Sequence, residues 1–348
     1  MGKRNKKGGK TMKFKVGMYG GAFNPLHLGH VNNIITAANQ CEKLYVVLSV
    51  TADKNEIDHR ERFMWLKNLT SDMENVEVFE IFDDNTSKNS YDWLKGANDI
   101  KAYIGKPIDA VFAGDDYKGK NIWESLYEGS EVVYFHRSDI NISSTEIRKN
   151  PYKYFEFLPK CVRNFYTKKV CIVGTESCGK STLVRNLAKY FNTAYVEEAG
   201  RYICDDAGGI DNMQPYHYFE ILFKHKELER DALKEANKVL IIDTDALVTL
   251  YYYQLGFEGT PEFNPGFAKI AESISNLNNY DLYIFLEPDV KWVQDGTRTY
   301  GDDDIRRANN EKLKSLLERN KISYVSVNGD YSERYEKSKE LIKKILGM

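Results

Sequence analysis

Twice along these 348 residues, a short apolar run ends in a glycine-rich turn that opens a helical pattern. The first turn is Gly20-Gly21-Ala22-Phe23-Asn24-Pro25-Leu26-His27-Leu28-Gly29-His30, after residues 16–19. The second is Gly174-Thr175-Glu176-Ser177-Cys178-Gly179-Lys180-Ser181-Thr182, after residues 170–173. Strand, glycine turn and helix in that order let main-chain N–H groups and a helix N-terminus converge on a phosphate. The same order restricts the architecture. A strand that feeds a helix returns as a parallel neighbour, and a parallel sheet needs helices on both faces.

The remaining pattern agrees. Residues 15–19, 44–50, 76–81, 110–113 and 131–135 read as strands, separated by helical stretches such as 31–40, 61–68 and 91–104. A proline-containing, aromatic segment follows, and then the alternation resumes. Strands are expected at 169–173, 194–196, 239–242, 282–286 and 322–327, with helices from Lys180, over 216–236 and over 331–346. This predicts an α/β protein with two doubly wound parallel-sheet domains. The expected layout is a disordered basic tail (1–13), a first domain (14–150), a linker (151–168) and a second domain (169–348).

Bulk properties narrow the class. The length exceeds one ordinary core, and 42% hydrophobic with 29% charged residues is the balance of a soluble globular chain. No apolar run approaches the ~18 residues of a membrane span. A net charge of −2 excludes a broad nucleic-acid footprint. Five cysteines, an odd number without zinc-ligand spacing, fit reduced thiols in a cytoplasmic protein. The basic start lacks the apolar core of a secretory signal, and Lys6 breaks a myristoylation pattern.

The second turn satisfies the Walker A pattern, so Gly174, Glu176, Ser177, Cys178, Gly179, Lys180, Ser181 and Thr182 are expected to bind ATP. Lys180 would place its charge on the β- and γ-phosphates and Ser181 its hydroxyl on Mg²⁺. Asp243, at the end of four apolar β-formers, would hold Mg²⁺ with Ser181. Asp245, two residues on, is expected to point the same way and contact substrate. Glu198, preferred over Glu197, ends a short strand facing the loop and would accept the proton of a sugar hydroxyl. Arg298, in a glycine-bearing excursion, would neutralise the transferred phosphoryl group. Its neighbours Asp302, Asp303, Asp304, Arg306 and Arg307 equally suit a salt-bridged surface.

In the first turn, His27 and His30 lack a third metal ligand of clear spacing. Beside Gly20, Gly21, Ala22 and Phe23, they are expected to donate hydrogen bonds to an α-phosphate of ATP. Far downstream, Ser143, Ser144 and Thr145 with free helix N–H groups would grip the β- and γ-phosphates, and Arg148 would neutralise departing pyrophosphate. Alone, Ser143 to Glu146 is a helix capping box.

With these residues, the first domain resembles the nucleotidyltransferase superfamily. The second resembles the ribosylnicotinamide kinases, through Gly174 to Thr182, Glu198-Ala199-Gly200-Arg201, Asp243-Thr244-Asp245 and Trp292 to Arg298. Their order resembles the bifunctional NadR-type family. That likeness implies two Mg²⁺- and ATP-dependent steps. Ribosylnicotinamide becomes nicotinamide mononucleotide, and this is adenylylated to NAD with release of pyrophosphate. It also implies that Arg201 binds the kinase substrate, and that the protein is a homo-oligomer. Some members begin with a DNA-binding repressor domain. Too few residues precede the first motif here for one, so no DNA-binding domain or repressor function is expected. Gly114-Asp115-Asp116-Tyr117-Lys118-Gly119 is similar to cytidylyltransferases. It marks Asp115 as a nucleotide contact and leaves CTP open against ATP. Tyr202 and Tyr251 to Tyr253 are candidates to stack on nicotinamide. A sensor that binds ATP or NAD without turnover is the alternative of a different class.

Overall fold

Each half of the chain builds one five-stranded, wholly parallel sheet. The computed structural model describes residues 12–51, 57–83, 92–136, 140–289 and 303–348, without the Asp303 side chain. Residues 1–11 of the expected tail, and the stretch from Trp292 to Asp302 that includes Arg298, lie outside the described residues. The chain divides into units of residues Met1–Val162 and Arg163–Met348.

The first unit runs β1 (Phe14–Gly21), α1 (Leu28–Ala38), β2 (Cys41–Thr51), α2 (His59–Leu69), β3 (Val76–Asp83), α3 (Trp93–Ile104), β4 (Ala110–Gly114), α4 (Ile122–Leu126), β5 (Glu131–Phe135) and α5 (Ser144–Lys149). Helix α6 (Lys160–Tyr166) spans the division. The strand order is β3-β2-β1-β4-β5, so the chain winds outward in both directions from β1. A crevice therefore opens past the carboxyl ends of β1 and β4, where the order reverses. Burial follows position. In β2, Leu44 to Leu48 are all buried, whereas the edge strand β5 has no fully buried residue.

The second unit runs β6 (Lys168–Val173), α7 (Lys180–Phe191), β7 (Tyr195–Val196), α8 (Ala199–Asp206), α9 (Pro215–Leu233), β8 (Val239–Asp243), α10 (Ala246–Phe257), α11 (Gly266–Asn278), β9 (Leu282–Leu286), α12 (Asp303–Arg319), β10 (Tyr324–Val327) and α13 (Tyr331–Ile345). Its order is β10-β9-β6-β8-β7. Ile172 of β6 pairs in register with Asp243 of β8, which sets the Walker loop beside the acidic strand end. Every residue of β8 is buried, as a central strand covered on both faces requires.

Helix α1 starts at Leu28, three residues before the apolar pattern suggests, because His27 caps it. Helix α10 gave no periodic signal, since it is apolar nearly all round and seven of its residues are buried.

Candidate active sites

In the first unit, His27 is the N-cap of α1, and its Nδ1 accepts the Gly29 N–H at 3.2 Å. A neutral His27 must then carry its proton on Nε2 and remain a donor there. The ring stacks on His30 at 3.8 Å between centroids. Gly29 makes that possible, because a Cβ there would lie 3.0 Å from the His27 ring. Phe23 meets His30 edge-on at 5.0 Å.

Ser144 and Arg148 arrive from α5. Ser144 Oγ donates to the Pro25 carbonyl at 3.0 Å, across 119 residues of sequence. Arg148 donates to the Asn24 carbonyl and, at 3.4 Å, to Thr145 Oγ1. The two motifs thus form one site. The Ser143 hydroxyl joins a complete capping box with Glu146 at the head of α5. Asp115 follows β4 and pairs with His136 at 3.5 Å.

A cavity of ≈ 200 Å³ continues from Gly20, Gly21 and Ala22 to Trp93, Tyr117 and Trp123. These three aromatics meet edge to face, with Trp93 and Trp123 centroids 5.3 Å apart. Their role was not legible in the sequence, because each comes from a different element.

In the second unit, Gly174 and Gly179 have φ of +150° and +87°. A Cβ at Gly174 would meet the Leu286 carbonyl at 2.8 Å, so only glycine fits. Lys180, buried at the head of α7, donates to the Thr175 carbonyl at 2.9 Å. Burial opposes its charge, yet the neighbouring Cys178 sulfur, Glu198, Asp243 and Glu176 leave its pKa raised. Burial likewise raises the Cys178 thiol, which stays neutral and packs against the loop through Thr175.

Asp243 is 1% exposed, and its Oδ1 has no hydrogen-bond partner. Burial pushes its pKa up to about 6, helped by Glu198 and opposed by Lys180 and Ser181. Ser181, Glu198, Arg201 and Asp243 line one recess of ≈ 10 Å³. An orphaned carboxylate oxygen beside a hydroxyl and a second carboxylate fits a divalent cation. Glu197 instead binds Arg185 at 2.9 Å and the Tyr202 hydroxyl.

Asp245 requires a correction. Strand β8 ends at Asp243, and Thr244 turns left-handed at φ +69°, so strand alternation no longer applies. The Asp245 carboxylate turns inward, caps α10 through Leu247 and Val248 N–H, and accepts from Ser275 and Tyr283 at 3.1 Å each. It supports the fold and does not line the large cavity beside the Walker loop.

That cavity, ≈ 690 Å³, joins Glu176, Ser177, Gly179, Lys180, Ser181 and Thr182 to Glu198 and Arg201. Its far wall holds Tyr218, Tyr252, Phe257 and Glu262. Of the suggested ring-stacking tyrosines, Tyr252 lines it, while Tyr251 and Tyr253 are buried in the core. Helical spacing could have nominated Tyr218 and Phe257 as core residues, but not as cavity wall.

Residues 18–150 match the cytidylyltransferase-like family model, and residues 169–334 match an AAA domain model. The chain is 30% identical to the trifunctional NAD biosynthesis/regulator protein NadR of Salmonella typhimurium, over 95% of this chain and 83% of that one. A solved NadR structure in complex with NR covers 97% of both chains with a TM-score of 0.79 and 22% identity. A second, with NAD and AMP-PNP, covers 96% of both with a TM-score of 0.78 and 21% identity.

Proposed function

Because the chain belongs to the NadR family of NAD biosynthesis proteins, we propose that it is a bifunctional enzyme making NAD from ribosylnicotinamide in two ATP-dependent steps. Residues 169–348 carry the kinase and residues 14–150 the adenylyltransferase. The observation that carries the reading is the ≈ 690 Å³ cavity. It puts a Walker loop, Asp243 nearby and a candidate base, Glu198, in reach of one nucleoside-sized space with aromatic walls.

In the kinase step, Glu198 accepts the proton of the ribose 5′-hydroxyl as that oxygen bonds to the γ-phosphorus of ATP. The bond from the γ-phosphorus to the β,γ-bridging oxygen breaks, and ADP leaves. Lys180 and the loop N–H groups of Glu176, Ser177, Gly179 and Thr182 hold the phosphates, and Arg201 orients the acceptor. Ser181 and Asp243 would hold Mg²⁺, which supplies charge neutralisation on the triphosphate. Arg298 retains its role of neutralising the transferred group within this reading.

In the adenylyl step, a phosphate oxygen of nicotinamide mononucleotide attacks the α-phosphorus of a second ATP, and pyrophosphate leaves. Alignment and charge stabilisation suffice, and no protein nucleophile is needed. His27 Nε2–H and His30 face the α-phosphate. Thr145, Ser144 and Arg148 receive the pyrophosphate, with Asp115 at the nucleotide. A cytoplasmic homo-oligomer belongs to the same reading.

The test is incubation of purified protein with ribosylnicotinamide and ATP, then with nicotinamide mononucleotide and either ATP or CTP. Nicotinamide mononucleotide and ADP from the first, and NAD and pyrophosphate with ATP alone from the second, support both assignments. Turnover with CTP alone, using a polyol phosphate, overturns the second. No turnover in either returns the sensor reading.

A further inference from the structure

Behind each phosphate loop lies a buried arginine that the two reactions leave unused. Arg334, in the first turn of α13, is 2% exposed and is not on the cavity wall. Its guanidinium donates to the Cys178 carbonyl at 2.6 Å, the Gly329 carbonyl at 2.8 Å and the Glu287 carbonyl at 2.8 Å, and it pairs with the Asp289 carboxylate. It therefore ties the Walker loop to the segment after β9 and to the turn before α13, across 156 residues of sequence.

Peptide geometry gives this contact a consequence. In a trans peptide the C=O of one residue and the N–H of the next point in opposite directions. With the Cys178 carbonyl drawn back to Arg334, the Gly179 N–H faces away from it. Gly179, Ser177 and Glu176 line the cavity, and Arg334 does not. The same turn of α13 also backs the loop, since a Cβ on Gly179 would lie 2.9 Å from the Tyr331 ring.

We infer that Arg334 is a positioning residue for ATP in the second unit, holding the Cys178–Gly179 peptide with its N–H turned toward the phosphates. Arg62 has the matching place in the first unit. It is 1% exposed and donates to the Ala22 carbonyl at 2.6 Å and the Ile57 carbonyl at 3.1 Å. It fixes the peptide that leads into Phe23, whose ring abuts His30. Lysine in either place keeps the charge but loses the planar fork that reaches several carbonyls at once.

The inference rests on the two-reaction reading, and the experiment separates their failures. Both activities are measured on each preparation of Arg334→Lys, Arg334→Met and Arg62→Lys, and ADP affinity of the second unit is measured by calorimetry without any acceptor. Arg334→Lys should raise the KM for ATP in phosphoryl transfer about tenfold, a loss of about one hydrogen bond to a charged group. Its kcat should stay within about threefold and its ADP affinity should fall in parallel, while adenylyl transfer stays unchanged. Arg334→Met should be worse. Arg62→Lys should do the reverse, impairing adenylyl transfer alone. Asp289→Asn removes a 41%-exposed partner without emptying buried space, and should raise the same KM by a smaller factor. Unchanged KM and ADP affinity in Arg334→Lys, or equal damage to both activities, overturns the inference. Wild-type protein that fails to phosphorylate ribosylnicotinamide overturns the functional reading, while the ADP measurement still decides the role of Arg334.

Discussion

His27 has a capping duty on one ring nitrogen and, in the proposed reaction, a catalytic duty on the other. Nδ1 caps α1 while a neutral ring carries its proton on Nε2, so capping and the proposed catalytic role can be separated by substitution. His27→Asn keeps a good cap but loses the ring donor. Thermal stability of the first unit should change little, while adenylyl transfer drops about 10²–10³-fold, the usual cost of one oxyanion donor. Equal activity would assign His27 to the helix alone. His225 makes a different residue-scale case. Burial lowers its pKa, against Glu229 and Glu198 and with help from Lys226, and it hydrogen-bonds to the Thr244 backbone. A histidine depressed in the folded state binds fewer protons there than when unfolded. Its contribution is present above the unfolded value near 6.5 and is lost as pH falls below it. Urea unfolding of His225→Gln should show a flatter fall in stability below that pH than wild type.

At the scale of elements, the junction of β8 and α10 shows where sequence reasoning stopped. Four apolar β-formers followed by an acid were enough to place Asp243 at a buried strand end beside the Walker loop. The period-2 rule then assigned Asp245 to the same side. It failed because Thr244 adopts a left-handed conformation, and a one-residue change of backbone path redirects every later side chain. Asp245→Ala should lower the stability of the second unit by ~3 kcal/mol, since four donors lose a buried acceptor. Its unfolding can be followed by hydrogen exchange in β8 and α10. A stability equal to wild type, with phosphoryl transfer selectively lost, would restore the substrate-contact role. Capping boxes were legible at Ser143 because their spacing is local. Trp93, Tyr117 and Trp123 were not, since α3, α4 and the turn after β4 meet only in the folded unit.

For the whole molecule, two phosphate loops on two sheets predict separable activities. Lys180→Ala should reduce phosphoryl transfer by at least about 10²-fold and leave adenylyl transfer near normal, and His30→Ala should do the opposite. Supplying nicotinamide mononucleotide to the Lys180→Ala protein should restore NAD formation. Loss of both activities from either substitution would contradict that independence. The sequence by itself determined the fold class and where the two glycine turns fall at strand ends. Glycine turns, β-branched runs and helix caps act over a few neighbouring residues, and their physics is local. Tertiary structure decided which acids face the cavity, which aromatics wall it and which buried arginines brace the loops. Those choices depend on strand order and on the direction of single peptides, which bring together groups more than a hundred residues apart.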